Sequence, residues 1–445
     1  MPKKPPSNVW IMVRSASLGL LVAATGVGGS DVSLAALTGS RFGVMLMWAI
    51  VAGAFVKYVL NEGLVRWQVA TGQTFLEGAC HRLGPAARVV FLVYLLIWTF
   101  AVGASVMSAC AGVASAMITP AGEWAGGAPA ETSQWVKVLL GLGHSILAAT
   151  LVLSGGYGAF KRVMGVLTVV MVVLVVVAAG LTRPDLGVLA GALFVPRIPL
   201  DDAQGVQWTI ALFGGVGGTV TMLAYGYWMR EEGRSARENV SPPGTRSYRT
   251  DLAVAYIVTA AFGIALKIVS ANVPVSASGA NLFQAVAARL QETIGPAAGW
   301  VYLAGAWCAV WACMLGVWQF VPMLFAELIA LGRDQSAQGV TQREPPRPAG
   351  STSLSRSGVY RAALVALATL PAVGVWFDFA LVQRAFGILG SMVIPMMALA
   401  LLLMNSRRAW VGQYANHVVT NVFLIIVFLL SIAGVVVEFA RLLAR

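Results

Sequence analysis

Long apolar segments separated by short polar connections run through almost the whole chain. A transmembrane helix needs about twenty apolar residues to cross the hydrocarbon core of a bilayer. Windows of that length predict eleven such helices, here called spans 1 to 11 in chain order. Their approximate cores are residues 10–38, 43–69, 87–117, 135–154, 160–181, 206–229, 251–272, 297–331, 359–377, 380–404 and 418–443. The pattern therefore predicts an all-α integral membrane protein.

The connections between the spans differ in charge. Basic residues concentrate before span 1 and in the second, fourth, sixth, eighth and tenth connections. Since lysine and arginine favour the cytoplasmic side, this alternation predicts a multi-pass protein of the plasma (inner) membrane. The amino terminus is then cytoplasmic and, after eleven spans, the carboxyl terminus is extracytoplasmic. We also predict a flexible cytoplasmic loop at 333–357 and a short external helix from Asn281 to Thr293.

Composition narrows the class of protein. The residues are 58% hydrophobic and only 11% charged, whereas soluble domains carry about 25% charged residues. The net charge of +12 follows from the basic connections and does not indicate a nucleic-acid partner. The sequence has no nucleotide-binding G-x-x-x-x-G-K-[ST] motif and no His-Glu-x-x-His motif, so it predicts neither an enzyme nor a bound cofactor. The predicted partners are the lipid bilayer and a transported ion or small solute, and we expect a monomer.

Span 1 contains a stretch that weakens its helix. Residues 25–32 read Thr-Gly-Val-Gly-Gly-Ser-Asp-Val, and glycine in a helix interior costs roughly 1 kcal/mol relative to alanine. Asp31 places a carboxylate near membrane depth, where a charge is expensive and indicates a functional site. A broken helix with an intramembrane charge is typical of the binding site of a secondary transporter.

Span 6 repeats this glycine pattern. Residues 214–222 read Gly-Gly-Val-Gly-Gly-Thr-Val-Thr-Met, five spans after the first break. Corresponding breaks at this separation are expected of two inverted repeats of five helices each. We therefore predict a first repeat at 1–181, a second repeat at 182–404 and an additional helix at 405–445.

Three short stretches carry a family resemblance. Residues 39–43 read Gly-Ser-Arg-Phe-Gly, residues 71–77 read Thr-Gly-Gln-Thr-Phe-Leu-Glu, and residues 217–220 read Gly-Gly-Thr-Val. They resemble the stretches that follow helices 1 and 2 and precede the helix-6 motif in the Nramp divalent-metal transporters. The resemblance is clearest over 15–85 and 210–230. It implies the leucine-transporter fold of the APC superfamily, with helices 1 and 6 unwound.

The departures from the Nramp pattern fall in the predicted site. The family's helix-1 signature, Asp-Pro-Gly-Asn, corresponds to Gly-Gly-Ser-Asp at residues 28–31, so the first acid is missing and an acid replaces the asparagine. Its helix-6 Met-Pro-His corresponds to Thr-Met-Leu at residues 221–223, so the histidine is absent and the methionine is lost or displaced by one position. The chain thus resembles a divergent Nramp-related branch, and the usual Mn²⁺ and Fe²⁺ activity does not carry over.

The groups that remain favour a hard cation. A carboxylate, hydroxyls and backbone carbonyls suit Mg²⁺, Ca²⁺ or Mn²⁺, and Mg²⁺ needs only one or two carboxylates because it keeps several waters. Asp31 is the expected metal ligand, and the predicted function is secondary-active transport of a divalent cation of the Mg²⁺ or Mn²⁺ class by alternating access. The other predicted substrate-binding residues supply backbone groups or line the pocket: Gly28, Gly29, Ser30, Gly217, Gly218, Thr219, Thr221, Met222 and Tyr225.

The same breaks also suit a small anion or a zwitterion. The N-termini of half-helices direct their positive dipole ends into the cavity, which favours negative groups. The missing family acid makes the pocket less negative. Bicarbonate or an amino acid would fit such a site, and this alternative stays open at the level of sequence.

Five further charged or titratable residues inside the spans are candidates for coupling or gating: Lys57, Glu62, Arg66, His144 and Lys267. Glu62 and Arg66 lie four positions apart on span 2, so a structural ion pair is the alternative interpretation. Hydrogen-bonded structure is the alternative for His144. Interior pairing or snorkelling is the alternative for Lys267.

Overall fold

The structure is a computed structural model that describes residues 18–120, 132–233, 245–271, 273, 281–337 and 354–443. Every regular element in these ranges is helical, so the predicted all-α class is confirmed. The basic residues that precede span 1 and most of the predicted loop at 333–357 lie outside the described ranges.

The helices follow the predicted spans closely. The helices before the second glycine segment are α1 (Leu18–Gly26), α2 (Gly29–Phe42), α3 (Met47–Thr71), α4 (Phe75–Leu83), α5 (Pro85–Ile118), α6 (Gln134–Leu181), α7 (Leu186–Phe194) and α8 (Gly205–Gly215). A 3₁₀ turn at Val220–Leu223 then leads into α9 (Ala224–Glu231), α10 (Thr245–Ser270), α11 (Leu282–Thr293), α12 (Pro296–Ala337) and α13 (Gly358–Thr369). After a 3₁₀ turn at Leu370–Trp376 come α14 (Phe379–Ser391), α15 (Val393–Asn405), α16 (Arg408–Val411) and α17 (Val418–Leu443).

The number of spans depends on how bent helices are counted. In the described ranges, eight helices are long and apolar enough to cross a membrane, or ten if each of two bent pairs is one span. Helix α6 has 48 residues, about 70 Å at 1.5 Å per residue, which is more than twice the thickness of the hydrocarbon core. Gly156 interrupts α6 with φ 63° and ψ 174°. Spans 4 and 5 are therefore the two parts of α6, and counting α6 as one helix gives at most ten spans in the described ranges where the sequence predicted eleven.

The structure can be compared with the prediction at three connections between the spans. The external helix predicted from Asn281 to Thr293 is found as α11. The loop predicted to begin at residue 333 begins later, because α12 continues to Ala337. Helix α7 lies in a stretch predicted as a plain connection, since its nine residues are too few to form a span, and none of them is buried.

Local chemistry fixes the end of α3 and the start of α4. Gly72 ends α3 in the left-handed region with φ 71°, which glycine adopts without steric penalty. Thr74 then begins α4 with a capping box. Its hydroxyl accepts the Glu77 amide at 3.0 Å, and the Glu77 carboxylate accepts the Thr74 amide at 2.8 Å. This turn holds the Glu77 carboxylate in a fixed position.

Close helix packing gives a test of the fold. A Cβ at Gly103 of α5 would lie 2.5 Å from Cγ of Pro371, whereas a Cβ at Gly143 of α6 would meet nothing within 4 Å. We expect Gly103→Ala to lower the free energy of unfolding by about 1–3 kcal/mol through overpacking. Gly143→Ala should be neutral or slightly stabilising, because alanine has the higher helix propensity. Unfolding by SDS in mixed micelles measures both, and equal stability of the two variants would contradict the described packing.

Candidate functional site

The two glycine-rich breaks meet inside the bundle. Helix α1 ends at Gly26, two residues follow, and α2 leaves at an angle of 49° to α1. A Cβ at Gly26 would lie 2.8 Å from the Gly218 nitrogen, so glycine allows the two breaks to touch. Gly28 is equally constrained, since its Cβ would lie 1.6 Å from Cβ of Cys313 on α12. Its carbonyl accepts the Val32 amide at 3.0 Å and so caps α2 instead of remaining free for a ligand.

The break in span 6 has a backbone that glycine makes accessible. Gly217 and Gly218 have φ values of 84° and 82°, in the left-handed region where other residues are strained. The chain then re-enters a helix through the 3₁₀ turn, in which the Thr219 amide donates to Thr221 Oγ at 3.3 Å. The Met222 amide donates to the Thr219 carbonyl at 3.1 Å. All of these residues are buried.

Asp31 joins the two breaks. It lies in the first turn of α2, where the helix dipole favours a negative charge, and its side chain is fully buried. Its Oδ2 accepts the Gly217 amide at 2.9 Å. Gly29 and Ser30 open the same helix, and their side-chain positions lie outside the described part of the structure.

Lys57 of α3 reaches the same point from the other side. Its side chain is fully buried, and Nζ donates to the carbonyl of Gly214 at 2.8 Å and to the carbonyl of Val216. The ammonium therefore binds the carbonyl end of α8, which carries the negative end of the helix dipole. It also attracts the Asp31 carboxylate electrostatically. The sequence predicted Lys57 as a coupling residue, but not its position between the breaks.

This arrangement has two chemical consequences. The carbonyls at the second break, predicted to be free for a cation, are bound by the Lys57 ammonium in this conformation. Among the described residues, no group of three or more histidine, cysteine, aspartate or glutamate side chains could hold a metal ion. Asp31 thus supplies a single carboxylate, balanced by one ammonium.

Tyr225 points elsewhere. Its hydroxyl donates to Asp251 Oδ2 at 3.0 Å, and the same oxygen accepts the Gly19 amide at 2.9 Å. Asp251 therefore ties the start of α1 to α9 and α10. This places the Tyr225 hydroxyl at the start of the first half-helix, although it was predicted to line the pocket.

Sequence comparison gives the family. A profile of the natural resistance-associated macrophage protein-like (Nramp) family matches residues 19–439. The chain belongs to the Nramp family. Nramp proteins are transporters and not enzymes, which confirms the prediction of a multi-pass membrane transporter. A comparison with curated protein sequences gives no match.

Solved structures share the fold. A histidine-to-alanine variant of the Eremococcus coleocola manganese transporter is 13% identical with a TM-score of 0.67, over 99% of this chain and 89% of that one. MhsT in complex with L-phenylalanine is 14% identical with a TM-score of 0.59, over 95% and 98% of the two chains. Mhp1, a nucleobase-cation-symport-1 family transporter, is 14% identical with a TM-score of 0.54, over 94% and 91%. These similarities confirm the predicted leucine-transporter fold for this Nramp chain.

The other predicted coupling residues lie in separate contacts. Glu62 and Arg66 pair at 3.3 Å, and Glu62 also accepts from Arg249 of α10 at 2.8 Å. Arg66 donates to Asn416 at 2.7 Å. This network links α3 to α10 and to the segment before α17, as expected of a structural ion pair.

Lys267 and His144 are held by hydrogen bonds. Lys267 is fully buried and donates to the Thr38 hydroxyl of α2 at 3.1 Å, so it does not snorkel. Nε2 of His144 accepts the Trp307 indole at 3.0 Å, and its Nδ1 lies 2.7 Å from the Leu140 carbonyl. Both ring nitrogens are engaged, which favours the structural interpretation of this histidine.

A second charged cluster fixes the end of the second half of span 6. Arg230 of α9 pairs with Glu77 of α4 and lies 3.8 Å from Glu327 of α12. Glu327 is buried and accepts hydrogen bonds from the Tyr227 hydroxyl and, at 3.2 Å, from the Thr74 hydroxyl. We call Glu77, Arg230 and Glu327 the α9 latch. The pairing of these three residues was not predicted from the sequence, although Glu327 is the only charged residue in the predicted core of span 8, which is a signal for such a role.

The charges at the breaks predict energetic coupling. Asp31→Asn and Lys57→Gln should each destabilise the protein, because each leaves one buried charge without its opposite. The double variant should be more stable than the sum of the single effects, with a coupling energy of about 0.5–3 kcal/mol. Unfolding by SDS of the unmodified protein, the two single variants and the double variant measures this coupling energy. Asp185→Asn, a change at an exposed position, is the control. Strictly additive effects would contradict an interaction between the two charges.

The α9 latch predicts rescue by a second substitution. Arg230→Met leaves the carboxylates of Glu77 and Glu327 facing each other without a cation, which should destabilise the protein by about 3–5 kcal/mol. Adding Glu327→Gln removes one of these charges and should restore part of the stability. Thermal unfolding in detergent compares the variants, and no difference between the single and double variants would show that the carboxylates do not interact.

Proposed function

We propose that this Nramp chain is a secondary-active transporter of a divalent metal cation of the oxygen-ligand class, Mg²⁺ or Mn²⁺. The observation that carries the proposal is the Asp31 carboxylate, buried between two touching helix breaks and bonded to the Gly217 amide. An intramembrane carboxylate at such a junction is suited to hold a transported cation. Family membership supports metal-ion transport, and the similar Eremococcus coleocola structure is a manganese transporter.

In the proposed cycle, Lys57 and the cation use the same oxygen atoms. The ammonium of Lys57 now occupies the carbonyls of Gly214 and Val216. Cation binding requires this ammonium to withdraw, which leaves carbonyl oxygens and the Asp31 carboxylate for a partly hydrated ion. Thr219 and Thr221 supply hydroxyls beside the same break. The two helix bundles then rock around the site to give alternating access.

A specific observation favours a second candidate function. The Lys57 ammonium at the break, together with the lack of a metal-ligand cluster among the described residues, suits a small anion or the carboxylate of a zwitterion. Such a substrate would bind the ammonium directly and would leave Asp31 to hold Gly217 or an amino group. The two functions differ in which of the two charges is essential.

We also propose the orientation of the protein in the membrane and the boundaries of its inverted repeats. The amino terminus is cytoplasmic, the carboxyl terminus is extracytoplasmic, and the protein works as a monomer in the plasma (inner) membrane. Residues 1–181 and 182–404 form the two inverted repeats, and 405–445 adds one helix. The alternation of basic connections and the shared fold support this arrangement.

Flux into proteoliposomes separates the two functions. With Mg²⁺ or Mn²⁺ as substrate, we expect uptake that falls to background in Asp31→Asn and persists in Lys57→Met, because the second variant makes the site more negative. With labelled bicarbonate or amino acids, the alternative function predicts loss in Lys57→Met. Asp185→Asn, an exposed acid at the start of α7, is the matched control and should transport normally. Unchanged cation uptake by a stable Asp31→Asn protein would refute the metal site.

A further inference from the structure

An apolar groove opens on the surface of the helix bundle, and Leu223 of the 3₁₀ turn at the second break is one of its lining residues. It has a volume of about 260 Å³ and lies between α4, α5 and α15, and every side chain that lines it is apolar. Val90, Leu399 and Leu403 line it and are 61%, 42% and 41% exposed, so the groove is open to the surrounding lipid. Along α15 it extends from Met396 to Leu403, about 10 Å at 1.5 Å per residue.

Two arginines meet at one end of this groove. Arg82 directly precedes the lining residue Leu83, and Arg407 lies four residues after Leu403, just beyond the end of α15. Both guanidinium groups lie over the indole ring of Trp410, at 5.0 Å and 4.5 Å from the ring centroid. Since both distances refer to one ring, the two charges lie within roughly 10 Å of each other, about the screening length of 0.1 M salt.

These like charges make no ion pair with an acidic side chain in the described part of the chain. No ion pair is found there for Arg82, Arg407 or the adjacent Arg408, and all three side chains are exposed. The two guanidinium groups add their positive potentials beside this ring, which favours an anion between them. The tryptophan places this end of the groove at the membrane interface, where lipid headgroups are found.

We propose that this groove binds one anionic phospholipid, with its phosphate between Arg82 and Arg407 and an acyl chain in the groove. Planar guanidinium groups bind phosphate oxygens in pairs of hydrogen bonds. Basic pockets between membrane helices favour anionic headgroups in this way. The acyl chain supplies the apolar contacts that an open groove lacks.

Native mass spectrometry of the detergent-purified protein tests the proposal with phosphatidylglycerol and phosphatidylcholine as probes. The unmodified protein should retain phosphatidylglycerol in preference to phosphatidylcholine. Arg82→Gln combined with Arg407→Gln should weaken the retention of phosphatidylglycerol roughly tenfold or more, since each basic residue near the surface contributes to anionic-lipid binding. Ala400→Phe, which fills the groove, should weaken the retention of both lipids while both arginines remain.

Two controls test whether the lipid preference comes from Arg82 and Arg407, and whether the site binds a lipid or a soluble anion. Arg356→Gln combined with Arg361→Gln removes two exposed arginines elsewhere and should leave the lipid preference unchanged. Inorganic phosphate and glycerophosphate at millimolar concentration should not displace the lipid. The proposal is overturned if the Arg82 and Arg407 double variant keeps its preference, if the control pair loses it equally, or if glycerophosphate alone displaces the lipid and so shows a site for soluble anions.

Discussion

The compensation of two buried charges at the junction of the broken helices is the interaction on which the site depends. Breaking a helix inside a membrane frees amides at one new end and carbonyls at the other, and the hydrocarbon of the bilayer offers them no hydrogen bonds. Asp31 accepts a freed amide at Gly217, and Lys57 donates to freed carbonyls at Gly214 and Val216. Each charge thus satisfies backbone groups and offsets the other. Removal of either one leaves both a charge and part of a helix end unsatisfied.

The positions of the breaks could be predicted because their signals are local. Glycines in an apolar segment indicate a weak helix at that point, and Asp31 is a charge where none is expected. The same locality explains why the spans agree with the helices. It also explains what the sequence does not show. Helix α7 is too short to give the signal of a span, and α6 runs through spans 4 and 5 with one non-helical residue, Gly156.

The partners of the charged residues could not be predicted, because they lie far away in the chain. Lys57 binds carbonyls about 160 positions later, and Glu77 meets Arg230 of another helix. A sequence shows that such a charge needs a partner but not which one, since a backbone carbonyl has no signature at all. Tyr225 is a residue whose position could be predicted from the sequence but whose side-chain direction could not. Its place one turn after the break suggested the pocket, but the direction of its side chain depends on Asp251.

The balance between Asp31 and Lys57 also bears on how the membrane voltage acts on the protein. An elementary charge that crosses the full membrane potential gains or loses about 2.3 kcal/mol per 100 mV. The two side chains together carry no net charge, so in the proposed cycle the empty site would return across the membrane without electrical work. A bound divalent ion would carry its own two charges through the field. The voltage would therefore act on the loaded step alone, and current recorded from the protein would report substrate movement directly.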